Sequence, residues 1–187
     1  MSVLDEQKLR FAFDDQQWSV VKYDEHRDYR DRIESLNGTR AVDFIGLQED
    51  GESVLYWIEV KDFRGYRIQN KSRLSDGELA VEVGTKVRDS LAGVMGAYCS
   101  SGNSHEWRPF VKSMWQRNAP IRVLLWLEED PMPGPPARRQ NAAQVQTSLL
   151  KQKLRWFTAR ALVVSQRTGD CPAGLTVTNL PGAGQTQ

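Results

Sequence analysis

The sequence predicts an α/β fold in which helices flank a mixed central β-sheet. Two apolar runs, residues 41–47 and 54–61, surround QEDGES, whose Asp50-Gly51 pair suits the positive φ of a tight antiparallel turn. Leu79, Val83, Val87, Leu91, Val94 and Tyr98 then recur at helical spacing, a stripe of about 20 residues. Beyond them residues 121–127 (IRVLLWL) are almost continuously apolar, as in central strands covered on both faces. A strand pair, a long helix and a doubly buried strand in that order require a sheet with helices packed on it.

In chain order, SVLDEQKL can open a helix at Ser2 while LRFAF alternates like a strand; a helix over residues 5–11 is expected. Residues 18–23 (WSVVKY) have the β-branched and aromatic character of a short strand. His26, Tyr29, Ile33 and Leu36 follow at roughly helical spacing and Asn37-Gly38 supplies a stop, so a short surface helix is expected. The hairpin comes next, then a basic loop with Arg64, Arg67, Lys71 and Arg73. Ser75-Asp76-Gly77-Glu78 reads as a capping box, in which serine and glutamate satisfy the free N–H groups where the long helix starts. Trp107, Phe110, Val111, Met114 and Trp115 form a shorter stripe, which Pro109 permits as helix only from a first turn. After the apolar strand, EEDPMPGPP reads as a Pro-rich loop, and Val145, Leu149, Leu154 and Phe157 mark another amphipathic helix. Residues 161–165 and 175–178 read as short strands. One domain over residues 1–180 with a flexible tail, 181–187, is expected.

Composition removes several classes. With 25 basic and 24 acidic residues, any nucleic-acid surface must be a local patch and not a global charge excess. Two cysteines, Cys99 and Cys171, without a CxxC pair support neither a disulfide framework nor a zinc ribbon, and a reducing cytoplasm fits best. The opening MSVLDEQKLR lacks the pattern of a secretory signal, and no apolar run is long enough to span a bilayer. GxSxG, GxxxxGK[ST] and HExxH are absent, which sets aside serine-hydrolase, P-loop and zincin chemistry. His26 and His105 have no partners at ligand or triad spacing and read as surface or hydrogen-bonding residues.

The hairpin contains three charges that an apolar strand pair does not need. Strand alternation puts Leu55, Trp57, Glu59 and Lys61 on one face. Asp43 lies eight residues before Gly51 and Glu59 eight after it, so antiparallel pairing brings them opposite or one diagonal step apart. Two buried carboxylates repel, and Lys61 offers one positive charge against two negative. Asp43, Glu59, the main-chain carbonyl of Val60 and waters form an oxygen-rich set suited to Mg²⁺ or Mn²⁺. A lysine beside them can hold a water or a phosphate oxygen.

Asp43, followed sixteen residues later by Glu59-Val60-Lys61, on paired strands before a long helix and a buried strand, resembles the PD-(D/E)xK nuclease superfamily. The resemblance covers about the first two thirds of the chain and implies a restriction-endonuclease-like αβββαβ core, here with a C-terminal helix and strands added. It implies Mg²⁺-dependent hydrolysis of phosphodiester bonds, usually in DNA, with Asp43 and Glu59 as metal ligands and Lys61 orienting the attacking water. Val42 stands where the family often has proline. Many members carry a further acid on the first helix, for which Glu6 is the best-placed candidate and Glu34 its rival. A homodimer and roles in restriction, defence or repair are implied by resemblance alone.

Arg64, Arg67, Lys71 and Arg73 are candidates for gripping phosphates beside the site. Lys151, Lys153 and Arg155 with Arg138 and Arg139 form a second basic cluster, while Lys86 and Arg88 read as charges solvating the outer side of the long helix. The reading is a metal-dependent endonuclease acting on DNA, with RNA left open; its alternative is a nuclease-like module without catalysis that binds nucleic acid or a protein.

Overall fold

The computed structural model describes residues 1–66, 69–100, 102–116, 120–131, 136–158 and 160–182, leaving aside the side chains of Lys71 and residues 136–140. In chain order these form β1 (Ser2–Glu6), β2 (Leu9–Phe13), β3 (Trp18–Lys22), α1 (Arg27–Arg30), β4 (Phe44–Asp50), β5 (Glu52–Asp62) and α2 (Lys71–Ser75). They continue with α3 (Glu78–Ser100), α4 (Ser104–Trp115), β6 (Ile121–Glu128), α5 (Pro136–Leu154), β7 (Ala161–Val164) and β8 (Leu175–Asn179).

Two sheets result. The larger is mixed, in the order β3-β4-β5-β6-β7: β3, β4 and β5 form an antiparallel meander, and β6 and β7 run parallel to β5. The smaller is antiparallel, in the order β1-β2-β8. Period-2 alternation in β5 and β6 explains how they pack. Leu55, Trp57, Val123, Leu125 and Leu127 meet Leu79, Val83 and Val87 of α3, Trp107 of α4 and Leu150 of α5. Tyr56, Ile58, Val60, Leu124 and Trp126 meet Leu9, Phe11 and Phe13 on the other side. The larger sheet thus lies between a helical layer and the small sheet, as the continuous apolar run of β6 requires.

The expected helix over residues 5–11 does not form. Leu9, Phe11 and Phe13 are fully buried while Arg10 is exposed, so the alternation in LRFAF prevails and the segment is a hairpin that turns at Gln7 (φ 56°). The expected helix after Tyr23 shrinks to the single turn of α1, with the Nδ1 of His26 accepting from the Asp28 backbone N–H at its start. α3 begins at Glu78, but the capping box does not form: the Ser75 hydroxyl bonds to Asp76 and to the Ser72 carbonyl, and the Gly77 carbonyl receives the Val81 N–H. Pro109 lies in the second turn of α4, not the first. Of the tail, residues 183–187 lie outside the described residues.

Two glycines are demanded by geometry. Gly51 turns the β4–β5 hairpin at φ +77°. Gly93 lets α3 approach Tyr23, which directly follows β3: a Cβ there would collide with the Tyr23 hydroxyl. Among the described residues, no helix is long and apolar enough to cross a membrane.

Candidate functional site

Pairing of Phe44 with Ile58 and of Ile45 with Trp57, carried one step further, sets Asp43 opposite Glu59. Asp43 precedes β4, where its carbonyl accepts the Tyr23 N–H at 2.8 Å and its Oδ2 accepts the Val60 N–H at 2.6 Å. Both carboxylates are buried, Asp43 at 5% exposure and Glu59 at 0%.

Two more acids converge on Asp43. Glu6 ends β1, and the Gln7 beside it clamps β5: its Nε2 donates to the Val60 carbonyl at 2.9 Å and its Oε1 accepts the Asp62 N–H at 2.7 Å. Asp24 lies two residues beyond β3, whose register pairs Lys22 with Phe44. Carboxylate oxygens of Glu6, Asp24 and Asp43 all lie within 4.8 Å of one another. Glu6 thus stands beside Asp43, on a strand and not on the expected helix. Its rival Glu34 is exposed in the turn after α1.

The cations are arranged asymmetrically. Lys61 Nζ lies 2.8 Å from Glu59 Oε1 and 3.0 Å from Glu82 Oε1, and Glu82 is also held by Arg73. Lys86 Nζ lies 2.6 Å from Glu59 Oε1 and 3.7 Å from Asp43 Oδ1. Lys22 joins Glu6 and Glu25. An alternating chain of charges, Arg73–Glu82–Lys61–Glu59–Lys86–Asp43, thus runs into the acidic cluster. At its outer end a cleft of about 400 Å³ opens, bordered by Arg40, Arg73, Glu78, Glu82 and Thr85.

Electrostatics mark the cluster as short of positive charge. Burial, reinforced by Glu59, pushes Asp43 up to about 8, and burial with Glu6 pushes Asp24 up to about 6. Burial also raises Glu59 despite its two lysines. Burial opposes the charge on Lys61, yet Glu59 and Glu82 outweigh it and hold its pKa above the usual lysine value. Asp24 Oδ1 and Glu59 Oε2 are buried without a hydrogen-bond partner.

Comparison with protein-family models, with curated proteins and with solved structures returned no match. The chemistry of the site therefore rests on its own residues.

The basic loop does not present free cations where it is described. Arg64 is held by Asp62 and by Asn179 Oδ1, and Arg73 by Glu82 and Asn70 while it lies over the Phe63 ring. Arg67 and the side chains of Lys71, Arg138 and Arg139 lie outside the described residues. Lys151, Lys153 and Arg155 are exposed. Lys86, expected to be a solvating charge, is instead 14% exposed and inside the site. Asp24 and Lys86 are what sequence reasoning missed. For Lys86 the only signal was its place at the edge of the apolar stripe, next to the buried Val87, which fits a solvating lysine equally well. For Asp24 none did, because the register of β3 against β4 is set by tertiary packing.

Proposed function

We propose that the protein is a divalent-metal-dependent phosphodiesterase acting on nucleic acid, DNA first, of the PD-(D/E)xK kind. The observation that carries this reading is the convergence of Glu6, Asp24 and Asp43 beside a Glu59 that two lysines touch. The order β3, β4, β5, α3, β6, with an antiparallel meander and then a parallel strand, supports the βββαβ part of the core that the resemblance implies. The leading helix of that core is replaced by the β1–β2 hairpin, which supplies the further acid.

The donor set fits a hard cation such as Mg²⁺ or Mn²⁺. The donors are carboxylate oxygens, Asp24 Oδ1 is buried without a hydrogen-bond partner, and burial makes their mutual repulsion costly. When bound, the cation would stabilise charge on a phosphoryl oxygen and make water a better nucleophile. Glu6, Asp24 and Asp43 would hold it, and Glu59 would complete the carboxylate wall. The Val60 carbonyl keeps one lone pair for it beyond the Gln7 hydrogen bond. A dianionic transition state draws on positive charge beside these acids, for which the two lysines at Glu59, Lys61 and Lys86, are the candidates.

The test is incubation of plasmid and of DNA and RNA oligonucleotides with Mg²⁺ or Mn²⁺, beside Asp43→Ala. Cleavage by the wild type that falls by about 100-fold or more in the variant is expected. Cleavage that survives Asp43→Ala would move the chemistry elsewhere. Nucleic-acid binding without Mn²⁺ uptake would favour the non-catalytic module.

A further inference from the structure

The Glu-x-Lys pattern singles out Lys61, but the two lysines at Glu59 have different surroundings. Lys61 Nζ is held between Glu59 and Glu82 on its own side of the charge chain, at 2.8 and 3.0 Å, and Arg73 fixes Glu82 from beyond. Lys86 reaches inward from α3, between Glu59 and Asp43, and Asp43 is the carboxylate shared with the Glu6–Asp24 group.

We propose that Lys86 is the catalytic lysine, the ammonium that meets the phosphate, and that Lys61 is a positioning residue that holds Glu59 and Glu82 in place. This rests on the phosphodiesterase reading above and assigns its cation. In the step considered, a water oxygen forms a bond to phosphorus and gives its proton to solvent. The bond from phosphorus to the leaving sugar oxygen breaks, and that oxygen takes a proton from solvent, leaving a phosphomonoester and an alcohol. Lys86 stays protonated throughout and donates to a non-bridging oxygen as negative charge grows on it. Both lysines are 14% exposed, so what separates them is place in the charge chain: Lys86 alone of the two also lies against Asp43.

The experiment compares Lys86→Met, Lys86→Arg, Lys61→Met and Lys61→Arg with the wild type. Its readouts are single-turnover DNA cleavage, Mn²⁺ titration calorimetry and thermal melting. Lys86→Met is expected to slow cleavage by about 100-fold while Mn²⁺ binding is kept or tightened, because a competing positive charge is removed. Lys86→Arg should recover part of that rate. Lys61→Met should lower the melting temperature and slow cleavage by less than about 10-fold. Lys61→Met abolishing cleavage while folded Lys86→Met cuts at the wild-type rate would overturn the assignment. So would loss of Mn²⁺ binding in folded Lys86→Met, which would make Lys86 a scaffold for the acids. If Lys86→Met does not fold, the arginine pair decides: a larger rate loss at position 61 than at position 86 overturns the proposal. A wild type that binds no Mn²⁺ and cuts nothing fails before any substitution, and that outcome rejects the phosphodiesterase reading itself.

Discussion

Burial, then the facing Glu59, push the pKa of Asp43 to about 8, and burial pushes that of Asp24 beside it to about 6. A carboxyl whose folded pKa lies above its unfolded value of 3.8 contributes stability that is complete below that value and is lost as pH rises through the folded pKa. The window for these two groups therefore runs from about pH 4 to about pH 8. Carboxylates with lowered pKa, such as Asp62 and Glu82, act in the opposite sense, losing their contribution only at more acidic pH. Metal-free protein should consequently melt at a lower temperature at pH 8.5 than at pH 6, by about 2–4 °C for each kcal/mol lost. Excess Mg²⁺ should remove most of that difference, since a bound cation favours the charged carboxylates. A melting temperature that rises across this interval would show that the acids are not held apart from charge as described. Asp43→Asn, which removes the titrating group, should flatten the profile and stabilise the metal-free protein at pH 8.5 by about 1–3 kcal/mol while weakening Mg²⁺ binding. Denaturant titration with and without the ion reads both effects.

At the level of elements, the β1–β2 hairpin brings an acid to the site that the sequence points to by the wrong route. SVLDEQKL has helix-compatible composition, and its first five residues alternate only weakly between partial burial and exposure. What decides for strand is the burial of Leu9, Phe11 and Phe13 against Phe44 and Trp126, contacts made by residues far apart in the chain. Once the hairpin forms, Gln7 at its turn acts as a short extra pairing partner for β5. Gln7→Ala should cost about 1–2 kcal/mol through two lost hydrogen bonds. Because Glu6 is its neighbour, the same change should weaken Mg²⁺ binding more than a surface substitution of equal destabilisation. Urea unfolding and calorimetry on the one variant separate these effects, and an unchanged affinity would mean that Glu6 does not depend on the clamp. α3 was far more legible. Leu79, Val83, Val87 and Val94 of the predicted stripe are all buried, because a sustained 3.6-residue period has few other ways to bury its apolar face. The same period left Lys86 at the edge of the stripe, where spacing alone cannot tell a solvating lysine from one that turns inward.

Across the whole molecule, the larger sheet is covered by helices on one face and by the β1-β2-β8 sheet on the other, and β6 feels both layers. Trp126 is its most consequential side chain toward the small sheet: 2% exposed, edge-on to Phe11, and donating through Nε1 to the buried Glu128 at 2.9 Å. Trp126→Ala should destabilise the protein by about 3–5 kcal/mol, from lost packing and a weakened environment for Glu128. A loss below about 1 kcal/mol by urea unfolding would mean that the small sheet docks loosely. The sequence by itself determined the β4–β5 hairpin, the facing of Asp43 and Glu59 across it, the apolar stripe of α3 and the two-sided burial of β6. Each of these follows from a local period or a turn a few residues long. Only the tertiary structure decided that Glu6 and Asp24 join Asp43, that Lys86 turns inward, and that Arg64 and Arg73 are bound in ion pairs. Those contacts join segments whose relative register is set by packing between layers, and a one-residue slip in β1 or β3 would turn each strand's side chains to the other face without altering any local pattern.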